Sequence, residues 1–318
     1  MPILKSNNYS PRFPFKNAHI HTIYPSLFRK VAITFNRKRI DTPDGDFFDV
    51  DTVKKGSEKA VILLHGLEGS SDSNYIKGMA KAAIDSGHDA IALNFRGCSG
   101  EVNKVVRSYH SGETEDLHLL IKLTLKEGNY KRLHLIGFSL GANVILKYLG
   151  EVGEAIDSRI RSAVSISVPC ELAACSDEIS KPVNWIYSKR FLSDLKEKVK
   201  LKRAITKDVI NYEKVMASKG IWEFDDNYTA PIHGFESAEA YYETCSGNRF
   251  LHNIRIPTLI LNALDDTFLA GACYPYELAK ESKFVFLETP EYGGHVGFVG
   301  NGRKGWYWSE ERAMSFLE

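Results

Sequence analysis

The chain has 318 residues, 43% hydrophobic and 25% charged, with 41 Lys and Arg against 40 Asp and Glu for a net charge of +1. That balance advertises no nucleic-acid surface, and the length suits one large α/β domain or a domain with an insertion. Cys98, Cys170, Cys175, Cys245 and Cys273 are odd in number and include no C-x-x-C, so neither a disulfide framework nor a zinc site is suggested.

Reduced thiols fit a cytoplasmic location. No run approaches the ~18 apolar residues of a membrane span, and the N-terminus lacks an apolar signal core. Residues 1–30 carry Pro11, Phe13, Pro14, Phe15, Tyr24, Pro25 and Phe28 and read as an irregular arm packed on a domain. His19 and His21 alternate as two residues on one strand face do, but no third ligand is close in sequence. A structural role outweighs a metal pair there.

Between residues 31 and 51, A-I-T-F and D-F-F-D-V-D flank T-P-D-G, a turn signal. The pattern predicts an antiparallel hairpin at a sheet edge. The run A-V-I-L-L-H-G at 60–66 predicts a strand buried on both faces. A helix follows over 75–86, with Ile76, Met79, Ala80 and Ala83 on one face and Gly87 at its end. Residues 89–95 predict another strand, leading into R-G-C-S-G at 96–100. Residues 114–127 predict an amphipathic helix along Leu117, Leu120, Ile121 and Leu125, with acids at its start and Lys122 and Lys126 near its end.

Residues 132–150 read as a short apolar strand, one sharp turn and an apolar helix. The turn, G-F-S-L-G at 137–141, has the G-x-S-x-G arrangement of a nucleophile elbow. A serine hydroxyl is a poor nucleophile unless it is exposed, held rigidly and offered to a base. A tight strand-to-helix turn meets the first two needs at Ser139, and the helix N-terminus adds free N–H groups beside it.

Residues 162–168 predict a further strand. The alternation implies a mainly parallel sheet with helices on both faces, whose sites form at the C-terminal strand ends. His65, Arg96 and Ser139 all fall at such ends. Alternation stops at Pro169 and resumes with strands over 256–263 and 283–288. The expected division is an arm (1–30), a core (31–169 and 251–318) and a helical cap over the strand ends (170–250), which is too long for an ordinary connection. Within the cap, residues 188–207 put Phe191, Leu192, Leu195 and Val199 on one side. Lys196, Lys198, Lys200, Lys202 and Arg203 lie elsewhere, as a solvated outer face or, less simply, a face resting on an anionic membrane. Trp185, Tyr187, Phe191 and Trp222 suggest an apolar cap interior.

Ser139 needs a base and a group to orient that base. On such sheets the chain order is Ser, then Asp or Glu, then His. Asp265 and Asp266 follow the 256–263 strand, and His295 follows the 283–288 strand, flanked by Gly294 and Gly297, which give the loop freedom to aim the ring. Asp266 is the better acid, with Asp265 as helper or turn-former. The backbone N–H groups of Leu67 and Leu140 are the candidate oxyanion donors. His65 reads as a hydrogen-bonded histidine at a strand end.

Several stretches together resemble one branch of the α/β-hydrolases, which holds the YheT-type predicted esterases of bacteria, eukaryotic abhydrolase-domain lipases and yeast ethanol acyltransferases. They are H-I-H-T-I-Y-P-S-L-F (19–28), T-P-D-G-D-F (42–47), H-G-L-E-G-S-S (65–71), N-F-R-G-C-S-G-E-V-N (94–103) and Y-H-S-G-E-T-E-D (109–116). G-F-S-L-G-A-N (137–143), F-D-D-N-Y-T-A-P (224–231), N-A-L-D-D-T-F (262–268) and G-G-H-V-G-F (293–298) complete the set. The likeness implies an α/β-hydrolase fold with Ser139, Asp266 and His295 as nucleophile, acid and base. Two departures stand out. Thr267 occupies the place of the family's usual proline, and the N-terminal membrane anchor of eukaryotic relatives is not read here, so membrane residence is not expected to carry over. The expected activity is serine carboxylester hydrolysis on a short- to medium-chain small-molecule ester, with lipids among the candidate substrates, without cofactor or metal. The alternatives are acyl transfer to an alcohol and a non-catalytic binding protein of the same fold. Oligomeric state is not legible.

Overall fold

The computed structural model describes residues 2–5, 9–300 and 305–318. Among the described residues nine strands join one sheet: Ile3–Leu4 (β1), Asn36–Asp41 (β2), Phe47–Val53 (β3), Lys59–Leu64 (β4), Asp89–Asn94 (β5), Arg132–Phe138 (β6), Ile160–Ile166 (β7), Thr258–Leu261 (β8) and Val285–Glu288 (β9). Their order is β1-β9-β8-β7-β6-β4-β5-β3-β2. Pairing is antiparallel where β3 meets β2 and β5 and parallel elsewhere. The central strands β4 to β8 are Val-, Ile-, Leu- and Ala-rich runs buried on both faces, as parallel strands between helix layers must be.

The helices are Ala18–Phe28 (α1), Asn74–Asp85 (α2), Glu115–Glu127 (α3), Leu140–Val152 (α4), Leu172–Ser180 (α5), Trp185–Thr206 (α6), Tyr212–Ala217 (α7), Ile221–Phe224 (α8), Ala230–His233 (α9), Ala238–Cys245 (α10), Tyr276–Glu281 (α11) and Trp308–Leu317 (α12). α3 and α4 bury Leu117, Leu120, Val144 and Ile145 against Ile62, Leu64 and Leu135 on one sheet face. α2 and α12 bury Met79, Ala83 and Met314 against Val61, Leu63 and Ile136 on the other. No helix among the described residues is long and apolar enough to cross a membrane.

Three expectations need correction. The hairpin's first strand is N-R-K-R-I-D at 36–41, not A-I-T-F at 32–35. The turn sets the register: Thr42 N–H donates to Asp46 O at 2.9 Å, and pairing runs back from Asp41 opposite Phe47. Arg37 and Arg39 then reach Asp51 and Asp49 across the strands at 2.7 and 2.9 Å, while Ile33 and Phe35 pack on the core instead. The arm is not irregular, because α1 forms with the Asn17 side chain capping its first amides at 3.0 and 3.1 Å.

Lys196, Lys198 and Lys202 of α6 do not belong to a solvated face, whereas Arg203 does. Lys196 donates to Met216 O and Ser218 O at 2.8 and 2.6 Å. Lys198 reaches Glu68 Oε1 at 3.0 Å. The buried Lys202 ammonium, with three N–H groups to donate, lies 2.7 to 3.0 Å from Asn103 Oδ1, Val106 O, Arg107 O and Ser108 Oγ. Loops rich in carbonyl oxygens lie beside α6, and long ammonium side chains satisfy them. Burial pushes the Lys202 ammonium down to about 7. Lys200 stays exposed beside Glu197.

Candidate active site

β6 runs into Ser139, which sits at φ 51° and ψ −121° before α4 begins. A positive φ in a residue with a Cβ is strained and persists only where the surroundings demand it. The two elbow glycines show why. A Cβ on Gly137 would lie 2.6 Å from Ala142 Cα, and one on Gly141 would lie 2.5 Å from His65 O. Side chains there would push the helix off the strand ends.

Ser139 Oγ is 2.9 Å from His295 Nε2. His295 Nδ1 is 2.9 Å from Asp266 Oδ2 and 3.1 Å from Oδ1. A carboxylate accepts only, so Nδ1 carries the proton and Nε2 is left to accept from the Ser139 hydroxyl. Phe268 stacks on the imidazole with ring centroids 4.2 Å apart. The neighbouring Asp265 takes no part in this chain of bonds. Its Oδ1 accepts from Gly294 N–H at 2.8 Å, and its Oδ2 is buried without a partner among the described residues. Burial, with the Asp266 charge adding to it, pushes the Asp265 carboxyl up to about 6. Asp265 therefore braces the loop that carries His295.

Sequence reasoning missed the part played by α1. His295 N–H donates to Thr22 Oγ1 at 2.9 Å, and Val296 N–H to Ser167 Oγ at 2.9 Å. Gly294 and Gly297 admit α1 rather than freeing the loop: Cβ atoms there would meet Ala18 O at 2.7 Å and His21 O at 2.2 Å. His21 is buried, accepts from Val299 N–H at 2.7 Å, and is pushed down to about 4 by burial. His19 turns the other way, to Tyr187 OH at 3.1 Å. The metal-pair alternative has no support in this arrangement: the pair lies on a helix, and no group of three metal-ligating side chains occurs among the described residues. The signal for the arm's role was the H-I-H-T motif itself, whose partner lies at the far end of the chain.

The loop after β4 lies against Ser139, since a Cβ on Gly66 would be 3.1 Å from Ser139 Cβ. His65 is fully buried and pushed down to about 3 by burial. It accepts from Phe95 N–H at Nε2 (3.1 Å), so Nδ1–H donates to Gly66 O (2.7 Å) and clamps the turn. Gly66 N–H donates to Tyr75 OH, Glu68 N–H to Tyr109 OH and Gly69 N–H to Gly66 O, at 3.0, 2.9 and 3.0 Å. Leu67 N–H alone in this turn has no acceptor among the described residues. Leu140 is the first residue of α4, where N–H groups lack intrahelical acceptors.

Two cavities converge on Ser139 and His295. The inner one, about 150 Å³, lies beneath the helices between β7 and β8 and is walled by Leu172, Ile179, Phe191, Leu195, Phe224 and Ile232. The outer one, about 440 Å³, runs between α1 and α6 past Ile23, Leu27, Ile186 and Tyr187. Of the four aromatics read as a cap interior, Phe191 and Tyr187 line cavities, Trp222 packs edge-on to Tyr242 at 5.0 Å, and Trp185 faces solvent. Asn184 locks the start of α6 to Thr267, through 2.7 Å to its carbonyl and 2.8 Å to its hydroxyl. The residue standing in place of proline thus ties α6 beside Asp266.

The inner wall also carries polar groups that composition did not flag. A π-helical turn spans Asp225–Thr229, an element often found at functional sites. Asp225, pushed up to about 6 by burial, accepts from Thr229 and Tyr242 hydroxyls at 2.5 and 2.6 Å. His110 lies 4.4 Å from His233, ring to ring. The motifs at 109–116 and 224–231 therefore meet around this cavity.

A family model described as the alpha/beta hydrolase fold matches residues 59–301. The YheT protein of Escherichia coli (strain K12) is 36% identical over 93% of this chain and 88% of its own length. Phospholipase ABHD3 of Mus musculus is 30% identical over 94% of this chain and 74% of its own. Among solved structures, the Pyrococcus furiosus esterase Pf2001 matches with a TM-score of 0.58 at 19% identity, over 91% of this chain and 97% of that one, a likeness of fold alone.

Proposed function

The chain belongs to the α/β-hydrolase fold family, in the branch that includes YheT and the abhydrolase-domain lipases, and on that premise we propose that it is a serine carboxylester hydrolase. One observation carries the reading: the unbroken run of bonds from Asp266 through His295 to Ser139 Oγ, at 2.9 Å each, where two cavities meet.

His295 Nε2 takes the hydroxyl proton as Ser139 Oγ attacks the ester carbonyl. Asp266 holds the imidazole in the Nδ1–H tautomer and stabilises the imidazolium. The N–H groups of Leu67 and Leu140 receive the developing oxyanion, each worth ~10²–10³ in rate. His295 then protonates the leaving alcohol, and a water activated by the same nitrogen releases the acid. The acyl chain occupies the inner cavity, whose apolar walls suit a short to medium chain. The alcohol, which leaves first, departs through the outer groove. Residues 170–250 act as the cap over a core of 31–169 and 251–318, and the arm at 1–30 braces the base. Esterase and lipase relatives support an ester or lipid substrate.

Ser139→Ala in a 4-nitrophenyl ester assay tests the mechanism. Loss of up to ~10⁶ in turnover is expected, and near-wild-type hydrolysis by a folded variant refutes it.

A further inference from the structure

The outer groove is bordered by two surface segments that combine exposed large apolar side chains with basic charge and no acid. Residues 9–30 contain Arg12, Lys16, Arg29 and Lys30 without one Asp or Glu, and residues 181–193 contain Lys181, Lys189 and Arg190 without one. In a chain of 41 basic and 40 acidic residues, that is a local separation of charge. Some of these cations are engaged: Arg29 with Glu310, Lys181 with Glu178, and Arg190, at 3.8 Å, with Asp194. Arg12, Lys30 and Lys189 are exposed and have no ion-pair partner among the described residues.

The two segments are neighbours in space. His19 of α1 stacks on Tyr187 of α6 with ring centroids 5.8 Å apart, and Leu27 and Ile186 line the same groove. Next to those two in sequence, Phe28 (65% exposed) and Trp185 (59% exposed) project to solvent, and Phe13 (92% exposed) sits in the turn whose Phe15 packs on Tyr24 of α1 with ring centroids 4.9 Å apart. Water-soluble surfaces rarely gather large apolar side chains in this way. Glu68, Asp72 and Asp194 also line the groove, paired with Lys198, Lys77 and Arg190 in turn. Aromatic and aliphatic side chains interleaved with unpaired Lys and Arg form the composition that sits at the headgroup–acyl boundary of an anionic bilayer.

We propose that this rim docks the chain on an anionic phospholipid bilayer, so that the groove leading to Ser139 opens toward the lipid. Phe13, Phe28 and Trp185 enter the boundary region, while Arg12, Lys30 and Lys189 face the phosphates. α1, which braces the His295 loop through Thr22, is then also the membrane-facing element.

Vesicle flotation tests this without reference to catalysis, using phosphatidylcholine alone and phosphatidylcholine with phosphatidylglycerol. The wild-type chain and Ser139→Ala are expected to bind the anionic vesicles at least about tenfold more tightly than the neutral ones, with the preference lost at high salt. Combined Phe28→Ser and Trp185→Ser should weaken binding about tenfold or more. Combined Arg12→Glu and Lys189→Glu should erase the anionic preference. These side chains face solvent, and near-ultraviolet circular dichroism checks that each variant keeps its fold. Equal affinity for both vesicles, no affinity for either, or wild-type binding by both folded variants overturns the proposal. So does a dimer that dissociates on the Phe28 and Trp185 substitutions, which would assign the rim to a second copy of the chain. Loss of ester hydrolysis with vesicle binding intact would instead strike the esterase reading alone.

Discussion

Asp265→Asn separates the two adjacent aspartates by stability rather than by rate. The Asp265 carboxyl is raised from 3.8 to about 6, chiefly by burial. Between those values the folded chain binds more protons than the unfolded one. This group's effect on stability is therefore absent below about 4, grows more unfavourable as pH rises through 6, and is level above that. The full shift corresponds to about 3 kcal/mol at 1.36 kcal/mol per pKa unit. Asp265 is only partly buried, so solvent screening reduces the expected figure to about 1–2 kcal/mol. Asparagine keeps an oxygen for Gly294 N–H and replaces the buried, unpartnered Oδ2 with an uncharged group. Asp265→Asn should thus exceed wild type by about 1–2 kcal/mol at pH 8, or ~2–4 °C in thermal midpoint, and by about half that at pH 5. Urea unfolding at both pH values measures it. Parallel pH dependence in wild type and variant would refute the reasoning, and so would a collapse of kcat comparable to that of Asp266→Asn.

Asp266→Asn should lower kcat by about 10⁴, because the amide can donate to Nδ1, which favours the Nε2–H tautomer, and no longer stabilises the imidazolium; steady-state kinetics at neutral pH measure it. Thr22→Val leaves His295 N–H without its 2.9 Å partner and should lower kcat about tenfold with little change in KM, the mark of a misplaced base rather than a lost binding contact. Lys202→Met removes the donor shared by four oxygens, of which Arg107 O keeps the Asn103 amide, and should destabilise the chain by about 1–3 kcal/mol in urea unfolding. With ethanol added to an ester assay, free acid should remain the major product, since the outer groove admits water; a dominant ethyl ester would favour acyl transfer.

Local chemistry wrote much of this molecule into the sequence. The elbow was legible because a strand-to-helix turn at a residue of positive φ needs the glycines at 137 and 141. The parallel sheet was legible because strands buried on both faces must be continuous apolar runs. The order Ser139, Asp266, His295 followed from the same topology, and the structure brings the three within hydrogen-bonding distance. What stayed hidden depended on partners far along the chain. Thr22 meets His295 across 273 positions. The glycines at 294 and 297 looked like loop freedom until α1 was found lying against them. Lys198 and Lys202 looked like a solvated stripe because periodicity gives a helix its faces but not its neighbours. A side chain's hydrogen-bonding needs are set by its own chemistry; which distant carbonyl, hydroxyl or carboxylate meets them is settled only when the tertiary contacts form.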